Sequence, residues 1–116
     1  MSKFKYFQDS EIVGLVEDLV FKLDRAREFY GSPIVITSGY RDPSKNESVG
    51  GVKDSAHTKG FAVDIRLSQD PFIRSKMAWA LGRAGFERVL FYDRHCHVDV
   101  DRDKPKPIFL DGGKSH

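Results

Sequence analysis

The N-terminal part of the chain carries apolar residues first at a helical spacing and then at a strand spacing. Between residues 9 and 30 apolar side chains recur every three or four positions, which places them on one face of a helix. Asp9 or Ser10 can cap the start of this helix, and the turn residues at 31–33 end it. A short buried strand is predicted for residues 33–40, PIVITSGY, which are rich in β-branched side chains.

A long polar segment separates this strand from the next one. A loop is predicted for residues 41–56, RDPSKNESVGGVKDSA, and loops of this length in small domains are usually functional or mobile. Residues 61–67, FAVDIRL, then alternate between large apolar side chains and small or polar ones, which predicts a strand with one apolar face. In this alternation Asp64 faces away from the apolar side.

A second helix and two further strands complete the pattern. The helix is predicted over residues 68–85, with Ser68 or Asp70 as its cap. Two strands joined by a tight turn are predicted for ERVLFYD and HCHVDVD, and a loosely attached tail for residues 101–116. Because the helices are separate from a small antiparallel sheet, we expect an α+β fold with the helices packed on one side of the sheet.

The composition is that of an ordinary globular domain. With 40% hydrophobic and 31% charged residues, the chain is expected to fold as one domain, residues 1–116, without a structural metal or disulfide bonds. The formal net charge is +2, from 19 basic and 17 acidic residues without a long run of one sign, which gives no argument for nucleic-acid binding. The single cysteine, Cys96, is expected to be a buried, reduced thiol. Because the chain is expected to fold without a structural metal, any metal ion is expected to be catalytic.

No segment of the sequence has the apolar length of a secretion signal or of a membrane span. We therefore expect a protein that is synthesised in the cytoplasm and does not insert into a membrane. The protein is also expected to be a monomer. If the protein acts outside the cytoplasm, another factor must release it.

Two histidines stand one residue apart in the segment HCHVDV. Because residues two apart in a strand face the same way, His95, His97 and Asp99 share one face, and the residues between them face the core. Two imidazoles on a polar strand face indicate a metal site or a proton-transfer pair, since zinc binds neutral imidazole nitrogen and carboxylate oxygen. His57 and Asp64 are the further candidates for such a site. A lone His-x-His is otherwise more often a surface pair.

A longer pattern resembles a known enzyme family. Residues 55–64, SAHTKGFAVD, match the S-x-H-x-x-G-x-A-x-D signature of the zinc D-Ala-D-Ala carboxypeptidase family of metallopeptidases, whose fold is shared with the signalling domain of Sonic hedgehog. SGYR at 38–41 looks like the family's S-G-Y-R block, and HCH at 95–97 looks like its H-x-H block. The three blocks stand in the family's order and cover roughly residues 36–101.

The resemblance implies a role for each matching residue. His57, Asp64 and His97 would bind one zinc ion, which leaves a fourth position for water. His95 would hold or move a proton beside the metal. Arg41 would place positive charge near the substrate carboxylate or the developing oxyanion.

The sequence departs from the family at one position. Some members carry an acidic residue, the catalytic base, three positions before the last zinc ligand, where this chain has Arg94. His95 is the first candidate to take over that role, and Asp93 or Asp99 is the alternative. Asp99 could instead orient a histidine on the same strand face.

Ser55 and Tyr40 stand beside these motif residues. Ser55 is expected to organise the loop through backbone hydrogen bonds. Tyr40 either packs against its neighbours or lines the substrate cleft, and the sequence leaves both possibilities open.

The resemblance implies zinc-dependent hydrolysis of a peptide bond in the stem peptides of bacterial peptidoglycan. A D-Ala-D-Ala carboxypeptidase and an L-Ala-D-Glu-type endopeptidase both fit the motifs. A phage or prophage lysis enzyme, released to act on the cell wall, and a cellular enzyme that stays in the cytoplasm are alternatives. A non-catalytic, zinc-containing binding module on the same fold is the alternative of a different class. A purely structural zinc site is disfavoured, because such sites need four protein ligands and the sequence offers three.

Overall fold

The computed structural model describes residues 3–40 and 56–113. In these ranges two 3-10 turns, Asp9–Glu11 and Ala56–Lys59, accompany two longer helices and five strands. The helices are α1, Glu17–Tyr30, and α2, Pro71–Arg83. The strands are β1, Ile36–Ser38; β2, Ala62–Arg66; β3, Arg88–Tyr92; β4, His95–Asp99; and β5, Ile108–Gly113. Neither helix of this described part is long and apolar enough to cross a membrane.

The strands form one sheet in the order β1-β2-β4-β3-β5. The α+β expectation is confirmed, but the sheet is mixed: β1 to β4 pair antiparallel, and β5 pairs parallel with β3. The connection from β4 stays at the end of the sheet where β3 begins, since Ile108 pairs with Arg88 and its N–H donates to Glu87 O at 2.7 Å. A strand that starts there must run in the direction of β3. The prediction of an antiparallel sheet is therefore wrong for this edge.

The C-terminal strand also corrects the predicted tail. The sequence predicts a loosely attached tail at residues 101–116. Three consecutive apolar residues, 108–110, are nevertheless enough for β5 to add to the edge of the sheet. The prediction is therefore wrong for residues 108–113.

Helix α1 begins at Glu17 rather than at residue 9 or 10. Gly14 has a left-handed φ of 81°, which interrupts a helix, and residues 9–11 form a separate 3-10 turn. The N–H of Val16 donates to Gly60 O at 3.0 Å instead of joining a helix. A contact with a distant part of the chain thus replaces the first two predicted turns. The end of the helix agrees with the prediction: it is followed by Gly31 in the left-handed conformation.

Helix α2 agrees with its predicted cap. The side chain of Asp70 accepts the N–H groups of Phe72 and Ile73 at 2.9 and 3.2 Å, and Pro71 is the first helical residue. Both helices pack against the same face of the sheet. One core cluster there combines apolar side chains from both helices and from the sheet: Leu19, Leu23 and Ala26 of α1, Met77 and Leu81 of α2, and Val63, Ile65, Val89, Cys96 and Val98 of the sheet. The opposite face of β2 and β4 is consequently left for polar residues.

Candidate metal centre

The polar face of the sheet brings Asp64 and His97 together. The two residues are direct partners in the antiparallel register of β2 and β4, and alternation turns both away from the helices. Oδ1 of Asp64 and Nδ1 of His97 are 3.3 Å apart. The same carboxylate oxygen is 3.3 Å from Nε2 of His57, which belongs to the 3-10 turn just before β2. One carboxylate oxygen therefore faces two imidazole nitrogens.

The turn that carries His57 is held by a close contact between two glycines. Gly60 has a φ of 77°, and a Cβ atom at this position would lie 2.2 Å from the carbonyl oxygen of Gly14. Only glycine accommodates both the left-handed conformation and this approach. The N–H of Val16 and the carbonyl of Gly60 add a hydrogen bond of 3.0 Å at the same place. The chain before α1 thereby fixes the turn, and His57 is only 2% exposed.

Hydrogen bonds set the tautomer of each histidine. Nδ1 of His57 donates to the backbone carbonyl of Gly39 at 2.9 Å, since a carbonyl can only accept, and this leaves Nε2 with a lone pair. Nε2 of His97 lies 2.7 Å from Oδ2 of Asp99, closer than Nδ1 lies to Asp64, so in the neutral imidazole Nε2 is the donor and Nδ1 has the lone pair. Metal-binding histidines are held in this way, with the second nitrogen donating to a carbonyl or a carboxylate. In the neutral rings both of these nitrogens, His57 Nε2 and His97 Nδ1, face Asp64.

The electrostatics of the cluster favour a cation between its members. Burial opposes ionisation of Asp64, but when a proton occupies the imidazole nitrogen that faces it, a hydrogen bond from His57 or His97 outweighs burial and holds the pKa of this carboxyl well below its usual range. Burial likewise disfavours a charged His97, but hydrogen bonds with Asp64 and Asp99 raise the pKa of the imidazole. A positive charge is therefore stabilised where the side chains meet.

The three side chains fit the donor set of a catalytic zinc site. One ligand atom from each of His57, Asp64 and His97 lies within 4.8 Å of the other two. In a tetrahedral site with bonds of about 2.0–2.1 Å, ligand atoms are about 3.3–3.4 Å apart. The two measured distances to Asp64 Oδ1 are both 3.3 Å. The structure thus brings together the three residues that the motifs indicate, and the two separations that involve Asp64 match the spacing of ligand atoms around a tetrahedral metal.

His95 lies on β4 two residues before His97, and therefore on the same polar face. Its ring stacks on Tyr92, with ring centroids 4.3 Å apart and planes 10° from parallel. This stacking fixes the plane of the imidazole next to the three-residue cluster.

The remaining predicted residues are placed as follows. Arg41 and Ser55 lie outside the described residues. Tyr40 is exposed, and its ring packs against Gly14. Asp99 is 2% exposed and contacts His97 directly.

Asp99 has the contacts of an orienting group. Its Oδ2 accepts hydrogen bonds from His97 Nε2 at 2.7 Å and from Arg88 Nε at 2.9 Å, and its Oδ1 accepts the N–H of Asp101 at 3.1 Å. Burial raises the pKa of this carboxyl, but the hydrogen bond from His97 and the other donors lower it further, and the net shift is downward. A carboxylate so occupied is a poor candidate for the catalytic base.

Three residues around the centre were not predicted from the sequence. Arg88 contacts Asp99 from β3, and Lys59 forms an ion pair of 3.2 Å with the buried side chain of Asp101. Asp101 continues the alternation of His97 and Asp99, a signal that could have been used. Arg88 carries no such signal, because its partner depends on the register between two strands.

Comparison with known proteins agrees with this fold. Residues 5–101 match the sequence family described as Peptidase M15. Among solved structures, the chain is similar to the crystal structure of Serratia marcescens L-Ala D-Glu endopeptidase ChiX, with 19% sequence identity and a TM-score of 0.60 over 80% of this chain and 85% of that chain. No curated protein sequence matches the chain. Because the matched segment covers most of its length, the chain belongs to the Peptidase M15 family.

Proposed function

We propose that the protein is a zinc-dependent peptidase that hydrolyses a peptide bond in the stem peptides of bacterial peptidoglycan. The observation that carries the proposal is the convergence of His57 Nε2, Asp64 Oδ1 and His97 Nδ1, with the second nitrogen of each histidine facing a carbonyl or a carboxylate that can accept its hydrogen. Membership of the Peptidase M15 family supports peptide hydrolysis. The similarity to an L-Ala D-Glu endopeptidase supports peptidoglycan as the substrate.

This donor set suits a catalytic zinc ion better than a structural one. When bound, the ion supplies Lewis acidity, which makes a carbonyl more electrophilic and a water molecule more acidic. Two neutral imidazoles and one carboxylate neutralise only part of the charge of a divalent cation, whereas several thiolates would neutralise all of it. Three protein ligands also leave a position open, as catalytic sites require.

The proton transfers are assigned to His95. Its ring lies on the strand face of His97 and is held in plane by Tyr92, so its nitrogens point in a constant direction while a proton is taken up and released. Asp99 is not available for this task because its carboxylate already accepts three hydrogen bonds. Arg41 is proposed to face the substrate carboxylate or the oxyanion.

Supporting roles outside the three ligands are proposed for two residues. Tyr40 offers an exposed ring at the end of β1, where it can line a cleft. Ser55 is proposed to order the chain just before His57. Neither residue takes part in bond cleavage under this proposal.

Of the two possible bonds, we favour the one between L-Ala and D-Glu over the terminal D-Ala-D-Ala bond. The favouring observation is the similarity of fold to an endopeptidase of that specificity. Degradation of the cell wall during phage or prophage lysis is one biological setting for such an enzyme, and trimming of wall peptides by a cellular enzyme is another.

The test uses purified peptidoglycan, an L-Ala-D-Glu-containing stem peptide and a pentapeptide that ends in D-Ala-D-Ala. Each is incubated with the zinc-loaded protein, the chelated protein and His95→Ala, and the products are identified by mass spectrometry. His116→Ala, at a histidine outside the three motif blocks, is the matched control. Cleavage that depends on zinc and on His95 supports the proposal. A folded, zinc-loaded protein that cleaves none of the three contradicts it and favours the binding module.

A further inference from the structure

We infer that Arg88 is a positioning residue for the metal centre. Arg88 acts through Asp99 to keep Nδ1 of His97 available as a ligand. The inference rests on the proposed function only in taking His97 as a metal ligand. It assigns no contact between Arg88 and either metal or substrate. Its basis is the hydrogen bonding on the side of His97 that faces away from Asp64.

Arg88 and Asp99 are direct partners in the register of β3 and β4. Nε of Arg88 lies 2.9 Å from Oδ2 of Asp99, the oxygen that accepts Nε2–H of His97 at 2.7 Å. The other carboxylate oxygen accepts the N–H of Asp101 at 3.1 Å. Donors on both oxygens thus restrain the rotation of the carboxylate.

Arg88 is itself held at two points. Besides Asp99, its guanidinium donates from Nη1 to the carbonyl oxygen of Pro105 at 3.0 Å. The planar guanidinium presents its donors in a rigid fork, so two bonds in different directions define its orientation. The side chain is 16% exposed, and that of Asp99 is 1% exposed. Water therefore has little access to the contact between them.

A cavity behind Asp99 explains why the carboxylate needs this restraint. The cavity has a volume of about 160 Å³ and is lined by side chains of both charges, the basic Lys22, Arg88, Arg102 and Lys106 and the acidic Asp18, Glu87, Asp99 and Asp101. Without Arg88, the Asp99 carboxylate can turn towards the other cations or towards water in the cavity. His97 would then lose the fixed acceptor for its Nε2–H group.

Loss of that acceptor matters because a neutral imidazole carries one hydrogen, which can sit on either nitrogen. Nδ1 of His97 lies 3.3 Å from Asp64 Oδ1, so a second carboxylate can accept the hydrogen on the ligand side of the ring. If Asp99 moves away, the hydrogen can move to Nδ1, which then has no lone pair for a metal. Arg88 therefore protects the ligand atom by holding the acceptor on the opposite side of the ring.

The experiment compares Arg88→Gln with Arg102→Gln, which removes the same charge from the wall of the same cavity. Nitrogen-15 NMR of the histidine side chains gives the His97 tautomer in the metal-free protein, at a pH above the pKa of the imidazole. Competition with a chelating dye gives the zinc dissociation constant. We expect Arg88→Gln to populate the Nδ1–H tautomer and to weaken zinc binding by about tenfold, the lower end of the range for residues that support a ligand. Arg102→Gln should change neither quantity.

Arg88→Lys tests the inference if the glutamine variant fails to fold. Lysine keeps the charge but cannot hold Asp99 and Pro105 with one rigid fork, so we expect a weaker change in the same direction, about threefold in zinc affinity. An unchanged tautomer and dissociation constant in a folded Arg88 variant would overturn the inference, as would equal losses in Arg88→Gln and Arg102→Gln. The tautomer is measured without zinc or substrate, so failure here is distinct from failure of the proposed peptidase activity.

Discussion

Asp64 and His97 face each other across the β2 and β4 pair, with their ligand atoms 3.3 Å apart and their Cα atoms in register. β4 is the central strand of the sheet, so this half of the site belongs to its most firmly paired part. His57 reaches the same oxygen from a 3-10 turn that depends on a contact between Gly60 and Gly14. The centre thus combines two proposed ligands fixed by strand pairing with one fixed by packing.

Asp64 contributes the only negative charge among the three ligands, and Asp64→Asn is expected to weaken zinc binding by roughly a hundredfold or more. A four-ligand structural zinc site gains about 10–16 kcal/mol, so each ligand accounts for a few kcal/mol, and a neutral amide replaces little of it. The measurement is the zinc dissociation constant by dye competition, with circular dichroism to verify folding. Asp9→Asn, at an exposed carboxylate, is the control. Equal affinity in both variants would exclude Asp64 as a ligand.

Zinc affinity is expected to fall as the pH is lowered from about 8 to about 6, with release of protons when the ion binds. Metal binding needs a lone pair on His97 Nδ1. Hydrogen bonds with Asp64 and Asp99, working against burial, raise the pKa of this imidazole, so protons compete from a higher pH than for an ordinary histidine. Asp64, with a pKa below its usual range, stays ionised throughout and does not add to the effect. Titration calorimetry in buffers of different ionisation enthalpy counts the protons, and a pH-independent affinity would refute this prediction.

Periodicity alone places the site residues on the correct faces. The alternation in FAVDIRL and HCHVDV turns Asp64, His95 and His97 away from the core, and the structure agrees. It does not indicate that Asp64 and His97 are neighbours, because the register between β2 and β4 is a property of the pair. The resemblance to the carboxypeptidase motifs supplied that link, since it carries the spacing of a complete site.

Contacts between distant segments account for what the sequence did not predict. The start of α1 depends on Gly14 meeting Gly60, and neither neighbourhood reveals the other. Arg88 meets Asp99 only through the β3 and β4 register, and β5 depends on a connection that returns to the start of β3. Each of these features depends on a tertiary contact, so local propensity and alternation do not predict it.

Cys96 is expected to be inert towards thiol reagents in the folded protein. The side chain is fully buried in the core face of β4, and burial raises the pKa of its thiol far above the usual range, so the reactive thiolate is scarcely populated. Native protein mixed with Ellman's reagent should release almost no thionitrobenzoate, and denatured protein should release one equivalent. Rapid reaction under native conditions would contradict the packing of β4 against the helices.

Gly60→Ala is expected to destabilise the protein more than Gly31→Ala does, although both glycines have a φ of 77°. At Gly31 an added Cβ meets only Lys76 Nζ at 4.0 Å, so the cost is that of a left-handed alanine, about 1 kcal/mol. At Gly60 the added atom would lie 2.2 Å from the carbonyl oxygen of Gly14. The turn must move, which brings the expected loss to about 3 kcal/mol. Urea unfolding of the metal-free variants measures both losses.

The turn at Gly60 also carries His57, so the two variants should differ in zinc binding as well. A displaced turn takes Nε2 of His57 away from Asp64 Oδ1, which is 3.3 Å distant in the native chain. We expect weaker zinc binding for Gly60→Ala, by about tenfold or more, and an unchanged dissociation constant for Gly31→Ala. Equal stability losses and equal zinc affinities in the two variants would show that the contact with Gly14 does not position His57.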